Sequence, residues 1–147
     1  MAITFKKPLT GSDLILKEMQ PFNGYTRGQE TDVTLGANDK LTLGAPVFRA
    51  KGVAGAAYAP VTAAAQLVDT NEIAFYFADV RGIVGGEVSG AGTHKVALIQ
   101  MGNIILKDAT ILAAAKVNFS AIADADFDKI KEMALQKQIV IEKVLGA

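Results

Sequence analysis

The sequence has no cysteine, no tryptophan, a single histidine and only four prolines. Without cysteine there can be no disulfide framework, no thiolate metal site and no cysteine nucleophile. With one histidine besides, a transition-metal centre is not expected. Charge of one sign is missing too: fifteen basic residues balance fifteen acidic ones, and no block of like charge stands out. Such a chain has no general electrostatic reason to bind nucleic acid or an anionic membrane. No apolar run approaches membrane-spanning length, and Met1-Ala2-Ile3-Thr4-Phe5-Lys6-Lys7 lacks the basic-then-apolar order of a signal peptide. The expectation is a soluble protein made in a cytoplasm.

What is present is apolar and small-residue-rich. The 147 residues are 50% hydrophobic, a share raised by alanine, while aromatics make up 7%. That length suits one domain with a real core. Residues 1–30 are mixed and polar, broken by Pro8, Gly11, Pro21, Gly24 and Gly28, with one short apolar stretch at Leu14-Ile15-Leu16. They read as an extended N-terminal arm, and residues 31–147 as a β-rich domain. Alternation predicts strands over 31–35 and 40–43, aromatic and branched content predicts one over 72–78, and 47–50 and 80–84 read as short strands. A glycine-rich loop follows over 85–92, then a hairpin of 94–100 and 103–106 around Met101-Gly102-Asn103. Between Ala50 and Leu67, Gly52, Gly55 and Pro60 argue against a helix despite the alanines. The stretch 124–137 is amphipathic, with Phe127, Ile130, Met133 and Ala134 on one face, acids at its start and Lys137 at its end. Ile139-Val140-Ile141 reads as a buried last strand. The fold class is therefore mainly β (α+β): a small β-barrel or β-tulip-like body with one late helix and an extended arm.

Chemistry-bearing patterns are weak. His94 has no serine or cysteine nucleophile in a recognisable setting and reads as a strand-end residue making a polar contact. Asp124, Asp126 and Asp128 have the alternate spacing of an EF-hand start, but the glycine expected next is replaced by a helical pattern, so capping explains them better. Gly82, Gly85, Gly86, Gly90 and Gly92 lack both P-loop and dinucleotide spacing. Lys51, between Ala50 and Gly52, lacks the setting of a carrier-domain lysine. Gly44-Ala45-Pro46 interrupts an apolar stretch as a strand-to-strand corner, where proline's missing N–H is tolerated. No catalytic residue, metal ligand or cofactor site is assigned, and the chain is read as a non-enzyme.

The order of several short stretches is more informative. Gly44-Ala45-Pro46-Val47-Phe48 leads into a strand. Ala57-Tyr58-Ala59-Pro60-Val61 and the segment from Ala78 through Asp79, Val80, Arg81, Gly82 and Ile83 to Val84 follow. Next come the strand pair within 94–106, the helix 127–137 and the terminal Ile139-Val140-Ile141. Over roughly residues 30–145 this resembles the head decoration (cement) proteins of tailed bacteriophages, of the lambda type. The resemblance implies a structural virion protein on the outer surface of the phage head. It would be a homotrimer that stabilises the expanded capsid by clamping neighbouring major capsid subunits, with no cofactor and no contact with DNA. A mean hydropathy of +0.28 fits a chain that buries surface by self-association. N-terminal segments in that family often engage the capsid. Here an extended arm would dock by adding a strand to a sheet edge. Its candidate capsid-binding residues are Thr4, Phe5, Leu14, Ile15 and Leu16, then Phe22 and Tyr25. Two other readings stay open: a β-barrel small-molecule-binding domain or enzyme subunit, and another virion component of the tail or baseplate.

Overall fold

The computed structural model describes residues 8–18 and 29–143. The architecture is mainly β with two helices, and it is organised around β6 (Asn71–Ala78). This strand is apolar at every position from Ile73 to Ala78, the mark of a strand covered on both faces. Side chains alternate across a strand, so Ile73, Phe75 and Phe77 enter one core cluster while Ala74 and Tyr76 enter another. One strand thus forms the wall between two cores.

The second of these cores lies inside a five-stranded antiparallel sheet. Its strands are β2 (Gln29–Leu35), β4 (Pro46–Ala50), β5 (Ala59–Pro60), β6 and β8 (Gly92–Ile99), in the order β2-β8-β6-β4-β5. The sheet curls until its edges touch. Tyr58 bridges Val33 in parallel: the Thr34 amide donates to the Tyr58 carbonyl at 2.8 Å, and the Tyr58 amide donates to Asp32 at 3.0 Å. This is one bridge rather than a full ladder, so the expected barrel is realised as a tightly curled open sheet. Val33, Leu35, Val47, Tyr58, Val96 and Leu98 are among the side chains that fill the curl. A short ladder of β3 (Lys40–Leu41) with β7 (Val88–Ser89) lies alongside.

The other core lies between β6, the helices α1 (Asp108–Asn118) and α2 (Asp124–Leu135), and a three-stranded sheet. That sheet has the order β1-β9-β10, from β1 (Ile15–Glu18), β9 (Ile104–Lys107) and β10 (Ile139–Glu142). β9 pairs antiparallel with β1 and parallel with β10. A parallel pair needs a crossover, and α1 and α2 supply it. The inner face carries Ile104, Leu106, Ile139 and Ile141, all buried. In α2 the expected face is the buried one: Phe127, Ile130, Met133 and Ala134.

Four expectations are corrected. β8 and β9 do not form a hairpin, because β8 is flanked by β2 and β6 while β9 is flanked by β1 and β10. Residues 80–84 form a turn rather than a strand, with only Val84 bridging back to Ala78. The helix expected at 124–137 ends at Leu135, and Lys137 lies beyond it, paired with Glu72 at 2.6 Å. Finally, the late helix has a companion in α1, whose buried residues are Ile111, Ala114 and Ala115.

The interruption at Gly44-Ala45-Pro46 is a corner. The Ala45 amide donates to the Thr42 carbonyl at 2.9 Å, and Pro46 opens β4, the strand position at which a missing N–H costs least. Gly44 adopts φ +85°, and a Cβ there would lie 3.1 Å from Leu14 Cδ1 and 3.4 Å from Ile111 Cγ1. Both the left-handed backbone and the crowding require glycine.

Candidate interaction surfaces

The residues singled out for chemistry sit in structural roles. His94 lies in β8 opposite Val33, and its Nε2 is 2.8 Å from the Gly90 carbonyl oxygen. Asp124 and Asp126 occupy the first turn of α2, where Asp126 Oδ2 accepts from the Ala123 amide at 2.9 Å. Lys51 is exposed in a turn and donates to Gln136 Oε1 at 2.9 Å. Among the described residues there is no grouping of acids and histidine placed to hold a metal. No described helix is long and apolar enough to cross a membrane.

Sequence reasoning missed a partly buried charge cluster. Glu72 on β6 accepts from Arg49 Nε at 2.5 Å and from Lys137 Nζ at 2.6 Å, and the Arg49 guanidinium lies 4.4 Å from the centre of the Tyr58 ring. Burial raises the Glu72 pKa, but the hydrogen bonds and charges of Lys137 and Arg49 outweigh it, leaving the carboxylate below its ordinary value. Burial pushes the Tyr58 hydroxyl up to about 12, with Arg49 opposing. The cluster pins the end of α2 to the curled sheet. Every member has a partner, so its arrangement is that of a clasp.

Two surfaces open among the described residues carry exposed apolar side chains. On the outer side of the three-stranded sheet, Ile105 and Val140 stand opposite each other across the β9–β10 pair and are only partly covered. With Asn103, Ile104 and Gln138 they line an open groove of about 580 Å³. β1 and β10 are the edges of that sheet, and an uncovered edge strand offers unpaired backbone groups to a partner chain.

The second open surface is the turn from Asp79 to Gly86. Asp79, 7% exposed, is the one buried charged residue among those described. Its Oδ1 accepts the Arg81 amide at 2.9 Å and the Ile83 amide at 3.0 Å, and its Oδ2 accepts Arg81 Nη2 at 2.6 Å. Burial alone would raise its pKa, but these hydrogen bonds from Arg81 and the two amides hold it below the ordinary value. Gly86 packs so closely on that carboxylate that no Cβ would fit, and its carbonyl accepts the Tyr76 hydroxyl. Out of this braced turn project Val80, 71% exposed, and Ile83, 48% exposed.

The candidate capsid-binding residues divide. Thr4, Phe5, Phe22 and Tyr25 lie outside the described residues. Leu14 and Ile15 are buried in the chain's own core, Leu14 completely, and Ile15 pairs with Leu106. Leu16, 43% exposed, is the member of that stretch left on the surface. The expected arm of residues 1–30 therefore includes a segment, 14–18, that belongs to the body. Its apolar triplet is too short to form a core alone but long enough to complete one built by β9 and α1.

No family model matches this chain, and neither the curated proteins nor the solved structures contain a match.

Proposed function

We propose that this chain is a head decoration protein of a tailed bacteriophage. It would bind the exterior of the expanded head as a homotrimer and stabilise it by clamping neighbouring major capsid subunits. The observation that carries the reading is the ordered series of short stretches quoted above. The 44–48 stretch is the corner into β4, 57–61 holds β5, and 78–84 is the braced turn. Residues 94–106 take in most of β8 and of β9, and α1, α2 and β10 follow. A protein that works by lying against others needs open apolar surface and free sheet edges. Among the described residues, the groove beside Ile105 and Val140, the edges of β1 and β10, and the Asp79–Gly86 turn supply both.

The test is direct. Purified full-length protein is added to expanded, undecorated heads of the same phage, and bound copies are counted as its concentration rises. The reading expects saturable binding, heads that resist heat better when decorated, and a bound species of about three times 15.4 kDa. Heads that take up no protein at any concentration would overturn it. The role of the arm is tested by removing residues 1–7 only, because a cut through residue 30 would strip Leu14 and Ile15 from the core. The shortened chain is expected to fold and to attach weakly.

A further inference from the structure

Among the described residues, Gln138 is the one residue other than glycine with a left-handed backbone, at φ +61°. A side chain resists that conformation, which glycine adopts freely. Gln138 stands in the short connection 136–138, where the chain leaves α2 and enters β10. The connection is tight: the Lys137 amide donates to the Ala134 carbonyl at 2.9 Å, and the Gln138 amide to the Leu135 carbonyl at 3.0 Å. One side chain ties it to the rest of the body. Lys137 Nζ donates to Glu72 Oε2 at 2.6 Å in a partly buried ion pair. Backbone strain and ion pair thus meet in one place and act in opposite directions.

Beyond that connection, β10 is held by its parallel ladder with β9 and by the burial of Ile139 and Ile141. A detached β10 would leave both isoleucines uncovered, so it seeks the surface shaped for it, the edge of a β9 strand. None of these contacts specifies which copy of the chain supplies the strand. When β10 of one copy lies on β9 of another, the ladder from Ile139↔Ile104 to Glu142↔Lys107 is remade unchanged. The balance between closed and exchanged forms therefore depends on the connection and on protein concentration. Straightening the connection relieves Gln138 and gives up the Lys137–Glu72 pair. A short connection under strain favours exchange, and the ion pair opposes it.

We propose that β10 is a latched, exchangeable strand: Lys137 and Glu72 hold a strained connection closed, and with the latch gone β10 pairs with β9 of a second copy of this chain. The inference concerns copies of this chain alone and does not rest on the decoration reading. The chain lacks cysteine, and Ile105 and Val140 stand opposite each other across β9 and β10, only partly covered. Full-length Ile105→Cys/Val140→Cys protein is warmed below its melting temperature at several concentrations, cooled and treated with a short bis-maleimide. A denaturing gel shows whether the linked strands belong to one chain of 15.4 kDa or to two. The single-cysteine variants give the background from chance contacts between copies. Three connections are compared: the unaltered one, Lys137→Met, which removes the latch but leaves the Arg49–Glu72 pair, and Gln138→Gly, which removes the strain. The expected two-chain product rises with concentration. It is at least about fivefold more abundant with Lys137→Met than with the unaltered connection, and scarcer with Gln138→Gly. Gln138→Gly is also expected to melt higher, so it keeps the test decisive if Lys137→Met does not fold. Two-chain product at the single-cysteine background in folded Lys137→Met protein would overturn the inference. So would equal product from Gln138→Gly and the unaltered connection, because the backbone would then hold no strain for exchange to relieve.

Discussion

Two glycine-bearing interruptions of the β pattern, Gly44-Ala45-Pro46 and Asp79–Gly86, resemble each other in sequence and do opposite things. The first turns inward. Leu14 and Ile111 crowd Gly44, and Ala45 and Val47 are completely buried. The second turns outward: its carboxylate is buried, but Val80 and Ile83 face solvent. Glycine alone does not tell a corner from a presented turn. What separates them is where the neighbouring polar groups go. At the corner, backbone groups bond to the adjoining strand, with the Gly44 amide donating to the Tyr76 carbonyl at 2.9 Å. At the turn the Arg81 and Ile83 amides bond to one local side chain, that of Asp79.

The largest effect should come at the inward turn. Gly44→Val combines a left-handed backbone that a branched residue resists with overpacking against Leu14. It should cost about 3 kcal/mol, visible as a large drop in denaturant midpoint. A loss below about 1 kcal/mol would mean that the corner shifts freely and is not a fixed joint. Next comes the outward turn. Asp79→Ala removes the acceptor for the Arg81 and Ile83 amides, so these should exchange hydrogen at least about tenfold faster. The accompanying fall in melting temperature should be smaller than for Gly44→Val. Equal damage from the two would erase the distinction between joint and display.

Acid should weaken the Asp79 turn and the Glu72 clasp together. Both carboxylates have folded-state pKa values below their ordinary 3.8 and 4.5. Their stabilisation is therefore fully present above those ordinary values and is lost as pH falls through the lower folded ones. Melting temperature should stay nearly flat from neutrality to roughly pH 5 and decline below about pH 4. A decline centred near pH 6 would point to another group. The smallest effect is the baseline outside both turns. His94→Ala removes an exposed contact to Gly90 and should change stability by less than about 0.5 kcal/mol, with no loss of head binding.

The sequence shows these elements unevenly, for physical reasons. The stripe of Phe127, Ile130, Met133 and Ala134 is asymmetric enough to reveal both α2 and its buried face. In α1 the run Ala113-Ala114-Ala115 carries no sidedness, so periodicity is silent there. Its helix propensity, with Asp108 in the first turn and Lys116 in the last, was the available signal. The strand expected at 80–84 fails because the Asp79 side chain captures nearby amides, a local competition that β propensity does not register. Met101-Gly102-Asn103 has hairpin chemistry, yet partner choice is settled by strands far away in sequence. The interaction surfaces were least legible of all. Val80 and Val96 look alike on paper, and only the packing leaves one exposed and the other covered.

The placement of β9 between β1 and β10 also sets a timetable for folding. A ribosome delivers β1 early, β9 much later, and β10 only after both helices. Leu14 and Ile15 must therefore wait until β9 has been made before the strand that shelters them exists. Pairings between residues so far apart close slowly, because loop-closure entropy must be overcome before the contacts form. The nascent chain passes through a period in which its first apolar segment is open to proteases and chaperones. Protection should then arrive abruptly, when β10 pairs with β9 and the crossover closes.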